Sequence, residues 1–153
     1  MKDSLLQTVF WLLVLVVGAA LEELLPKFFG VGFPVLLATV QLAACGRMPL
    51  ALAVVLAVAA GGLEDALSSL PMMTTVSYFV LTLALVCGFG FPRAAAALTY
   101  PCYQLWLSVW TGGLGGGIFA RLLLSVPVGL VTAAVVGLAV DWLRGKAAID
   151  EQG

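Results

Sequence analysis

Apolar runs of helical length recur along this chain from Leu5 to Trp142, interrupted only by Pro, Gly and a few charged residues. With 63% of its residues hydrophobic and 10% charged, a soluble domain of 153 residues would have too little interior to hide its apolar surface. The bilayer is then the solvent, and the chain reads as an all-α integral membrane protein.

Six hydrophobic spans can be marked, covering about residues 5–25, 31–45, 50–70, 72–89, 94–111 and 118–143. Backbone groups in hydrocarbon must be satisfied within the segment, so spans of this length are helices, and the alternating pattern of a membrane barrel is missing. At about 20 residues per crossing, six crossings consume about 120 residues. The expectation is a six-transmembrane-helix bundle forming one polytopic membrane domain over residues 1–153, without a soluble catalytic module.

Positive charges set the orientation. With the N-terminus in the cytoplasm, Lys2, Arg47, Arg93, Arg144 and Lys146 fall inside, and Lys27 and Arg121 fall on or near the outer side. Glu22, Glu23, Glu64 and Asp65 then lie toward the outer face. Both termini are expected to be cytoplasmic. The first span also has features of a signal peptide, with Lys2, an apolar stretch and Gly18, Ala19 and Ala20. Its removal would leave five spans and spoil the charge balance.

Several chemistries are excluded by composition. There is no His, so His-based acid/base chemistry, His metal sites and His-ligated haem are absent. Cys45, Cys87 and Cys102 show no zinc or CxxC spacing and read as small residues in helix packing. The glycine-rich run from Gly112 to Gly117 lacks the Lys-Ser or Lys-Thr of a phosphate loop and follows no strand. It reads as an outer hinge between spans five and six. No catalytic residue, metal site or cofactor is expected.

The third span carries the informative charges. Between Pro49 and Pro71 the helix would run about 31 Å, which puts Glu64 and Asp65 roughly 8 to 10 Å inside its outer end. Leu52, Leu56, Leu63 and Leu70 form one stripe, expected to face lipid. Ala53, Ala57, Ala60 and Gly61 form a small-residue stripe, expected to meet another helix, with Glu64 on the same side. Both carboxylates should therefore face protein or a cavity. Arg121 enters the sixth span at a comparable depth, and an ion pair with Glu64 or Asp65 is expected there.

Other features are structural. Pro101 and Pro127 should kink spans five and six, and Gln41 and Gln104 should hydrogen-bond across helices. Trp106, Trp110 and Trp142 suit the headgroup region. Residues 146–153 read as a short disordered tail.

The Gly61-Gly62-Leu63-Glu64-Asp65 helix end, preceded by Arg47 in a basic inner loop, resembles the Gly-x-x-x-Asp helix end of the rod-shape-determining membrane protein family MreD. The likeness extends over most of the chain: Pro34 opens an aliphatic second span, Tyr78 and Phe79 supply aromatics in the fourth, and the last span closes on Trp142, Leu143 and Arg144. It departs at Leu70, Pro71 and Met72, where the family usually has a Leu-Gly pair. The resemblance implies a fold similar to the substrate-binding subunits of energy-coupling-factor transporters. It also implies a non-enzymatic scaffold in the bacterial inner membrane, working in peptidoglycan synthesis during cell elongation. Its implied partners are an MreC-like membrane protein, with MreB, RodA and a class B penicillin-binding protein beyond it, and no nucleic acid. Asp65, Glu64, Arg121 and Gly61 are the expected partner or pocket residues. The rival reading is a transport subunit of the same architecture that captures a vitamin-like ligand; its cues would be a polar or aromatic cluster converging on one outer pocket and an Ala-rich inner face on the first span, which here is rich in Leu and Val and weighs against it.

Overall fold

The computed structural model describes residues 2–27, 30–45, 49–89, 93–113 and 115–150. Among them every regular element is a helix: α1 (Lys2–Leu24), α2 (Val35–Cys45), α3 (Leu50–Leu67), α4 (Thr74–Phe89), α5 (Arg93–Trp110) and α6 (Ile118–Asp150). Three stretches are long and apolar enough to cross a bilayer: Leu6–Leu24, Leu50–Leu67 and Ile118–Trp142. Their outward residues, such as Leu13, Val16, Leu130 and Leu138, are exposed and apolar, which fits lipid as the surrounding medium.

The other helices are shorter or more polar. The 11 residues of α2 rise about 16 Å, roughly half of a 30 Å hydrocarbon core. Its expected start at residue 31 is displaced to Val35 because Pro34 stands immediately before the helix and the segment ahead of it turns at Gly30, whose φ is +77°. The α4 helix has 16 residues, and α5 carries Thr99, Gln104 and Ser108 on a helix of 18.

The shortest helix sits at the centre. It contacts α1, α3, α4 and α6, and its Leu36, Leu37 and Val40 are buried in a core shared with Leu15, Leu56, Phe79 and Leu83. Gln41, also buried, donates from Nε2 to Thr99 Oγ1 on α5, the cross-helix bond anticipated for that residue.

The most extensive pairings are α5 with α6 and α3 with α4, and each depends on a glycine. A β-carbon on Gly61 would stand 2.6 Å from Val76 Cα and 2.7 Å from its nitrogen, so the missing side chain lets α4 lie against the α3 backbone. Gly129 of α6 likewise meets the Ala97 carbonyl. That carbonyl lies four residues before Pro101, which has no N–H to give it. The small residue thus brings α6 directly over the place where proline interrupts the ladder of α5.

Two expectations change. The leucine stripe of α3 does not face lipid: Leu56 is buried, Leu52 and Leu63 are half-buried, and Val54, Val55 and Val58 are exposed instead. A helix that is apolar all round has no polar face to mark the outward direction, whereas the small-residue stripe of Ala53, Ala57, Ala60 and Gly61 is buried as expected. The expected disordered tail is also corrected over residues 146–150, which continue α6 as far as Asp150. Lys146, Ala147, Ala148 and Ile149 offer nothing that stops a helix. Arg47, expected in an inner loop, and Leu114 of the glycine run lie outside the described residues.

Candidate functional site

The third helix ends in a tight wrap that positions its two acids differently. The Ser68 N–H donates to the Glu64 carbonyl and the Leu70 N–H reaches back to the Asp65 carbonyl, each at 2.9 Å. Ser69 adopts φ +52° between them, the left-handed residue of a Schellman-type ending. Pro71 prevents the helix from resuming, and Met73, at φ +73°, redirects the chain into α4.

Asp65 is turned inward and is 5% exposed. Its Oδ1 accepts the Thr75 N–H at 2.8 Å, one of the donors that the first turn of a helix leaves without an internal partner. Its Oδ2 has no hydrogen-bond partner. Glu22 does the same for α2, accepting the Leu36 N–H at 2.9 Å across the α1–α2 connection. Negative charge at a helix N-terminus is also favoured by the helix dipole, so each acid secures the start of the helix that follows its own.

Around these joints the hydroxyl and indole groups close a second set of bonds. Trp106 Nε1 donates to the Thr74 carbonyl at 2.8 Å, Tyr103 shares a bond with Thr75 Oγ1, and Tyr100 donates to the Gly32 carbonyl. Tyr78 and Tyr103 pack with ring centres 5.1 Å apart, and Tyr78 and Trp106 with centres 6.1 Å apart. Trp106 is therefore half-buried in the bundle rather than a headgroup anchor, while Trp110 and Trp142 are exposed.

A cavity of about 220 Å³ lies where α1, α3 and α5 finish and α6 begins. Glu22, Glu64, Lys27 and Arg121 supply its charges, and Tyr100, Tyr103, Gln104 and Ser108 form much of its α5 wall. Glu64 accepts a bond from Ser68 Oγ, and Lys27 pairs with Glu23 at 3.5 Å.

Of the residues singled out from sequence, Glu64 and Arg121 meet in this cavity, whereas Asp65 is buried at the α3–α4 joint and Gly61 in the seam beneath it. The expected ion pair is not formed: among the described residues the ion pair is Lys27–Glu23, and Arg121 packs beside Gly30. Asp65 already has a backbone donor at the start of α4, and Glu64 takes the Ser68 hydroxyl on its own helix. Sequence reasoning passed over Glu22, Lys27, Tyr100 and Tyr103. Glu22 and Lys27 carried a signal, being charged residues at the end of an apolar span; the tyrosines carried none beyond their position on α5.

No family model, curated protein or solved structure matches this chain.

Proposed function

We propose that the protein is an MreD-like scaffold of the bacterial cell-elongation machinery. It would be a six-span inner-membrane protein with both termini cytoplasmic, binding an MreC-like partner and, through it, the enzymes of peptidoglycan synthesis. It performs no catalysis in this reading. The observation that supports it is the α3–α4 joint. The residues that carry the family resemblance, Gly61 and Asp65, have one structural task there: close approach of α4 to α3 and capping of α4. The spacing between them places both on the face turned toward α4. The five positive residues assigned to the inner side support the orientation.

Depletion of the protein in a rod-shaped host is expected to give round cells, and affinity purification is expected to recover a membrane-anchored elongation protein. Reporter fusions at both ends are expected to read cytoplasmic. Depleted cells that keep their rod shape overturn the scaffold reading.

The cavity favours a second reading. Four charged groups and two tyrosines converge on one end of the bundle, as a solute-capturing transport subunit requires. Loss of uptake of a small solute with cell shape intact would establish that reading in place of the first.

A further inference from the structure

The cavity charges are arranged by depth. Glu22 and Glu64 are half-buried, whereas Lys27 and Arg121 are exposed. Neither cavity acid is within salt-bridge reach of either cavity base, the described ion pair being between Lys27 and Glu23, which does not line the cavity. Both acids line the same cavity, and a cation placed there would favour their ionised forms. Opposite charges held apart around one open cavity are complementary to a molecule that carries both signs.

We propose that this cavity binds a zwitterionic group made of a primary ammonium and an anion a few bonds away, with the ammonium held by Glu22 and Glu64 and the anion by Arg121. At about 30 Å³ per water in the liquid, the 220 Å³ cavity has room for a headgroup-sized solute and is smaller than a typical drug-sized site. Glu22 keeps one oxygen on the Leu36 amide and Glu64 one on Ser68, so each carboxylate has acceptor capacity left for an ammonium N–H. The guanidinium supplies paired donors suited to phosphate or carboxylate.

The same chemistry occurs in a free amino-phosphate solute and in an aminophospholipid headgroup. This site needs the cavity but no particular protein partner, so it goes beyond the scaffold reading and stands or falls apart from it.

The test uses the full chain in nanodiscs containing equal amounts of phosphatidylethanolamine and phosphatidylcholine, with retained lipid read by native mass spectrometry. Phosphatidylcholine has a quaternary ammonium without N–H donors. A preference of about tenfold for phosphatidylethanolamine, the size of one charge-assisted hydrogen bond, is expected for the lipid source. Titration of free phosphoethanolamine into protein in phosphatidylcholine nanodiscs reads the solute source. Glu64→Gln and Arg121→Gln are each expected to reduce whichever binding is found by about tenfold, with helicity retained by circular dichroism. The wild-type comparison decides without the variants. Equal retention of the two lipids together with no phosphoethanolamine binding overturns the proposal, as does binding unchanged in both folded variants.

Discussion

The Asp65 carboxylate accepts the Thr75 amide at 2.8 Å, so the last turn of α3 closes the first turn of α4. The two lie ten positions apart in the chain, with Ser69 and Met73 in left-handed conformations between them. The joint is thus fixed by a side-chain bond across its base as well as by its own turns.

Replacing Asp65 with Ala should remove that cap and leave a buried N–H unsatisfied, at a cost of about 1–3 kcal/mol. Asp65→Asn keeps a carbonyl acceptor and should cost less. Thermal unfolding in detergent micelles gives the order, and equal effects of the two changes would show that the charge rather than the bond is what matters.

Adjacent glycines should behave in opposite ways. Gly61→Ala drives a methyl against the Val76 backbone and should destabilise the protein by about 1–3 kcal/mol. A methyl on Gly62 would meet nothing within 4 Å, and Gly62→Ala should be neutral or stabilising by up to about 1 kcal/mol through helix propensity. The same unfolding measurement compares them.

Met73→Gly should raise stability. Met73 holds φ +73°, a conformation that costs a residue with a β-carbon about 1–2 kcal/mol, and its side chain is 63% exposed, so little packing is lost. Allowing for the greater entropy that glycine loses on folding, a net gain of about 1 kcal/mol is expected, read as a higher unfolding midpoint.

A double-mutant cycle on Asp65→Ala and Arg121→Ala should give a coupling below about 0.5 kcal/mol, because Asp65 is engaged at α4 and Arg121 faces the cavity. Coupling well above that value, measured on folded protein in a membrane mimetic, would place the two charges in contact.

The helical, membrane-fitting character of the chain was legible because it rests on summed hydropathy, to which every residue contributes. The small-residue face of α3 was legible for a similar reason: Ala53, Ala57, Ala60 and Gly61 share a direction that only close packing uses. The partner of Asp65 was not. A search among side chains finds Arg121 as the available cation, but the donor is a backbone amide, present at every residue and made special only by the start of a helix. Glu22 was passed over for the same reason. The cavity was less visible still, since it needs Lys27 and Gly30 of the α1–α2 connection, Glu64 of α3, Tyr103 of α5 and Arg121 of α6 brought to one end of the bundle. No local pattern encodes that convergence.

At the end of α6 remote from the cavity, the helix continues past its apolar stretch. From Trp142, the last residue of the apolar stretch, to Asp150 the helix adds eight residues, about 12 Å along its axis. With Trp142 at the edge of the hydrocarbon, the headgroup layer takes up about 5–7 Å of that length, so the far end stands within the roughly 8 Å over which headgroup charge is felt at physiological salt. The helix is then a short post that keeps whatever grips its end inside the field of the membrane surface.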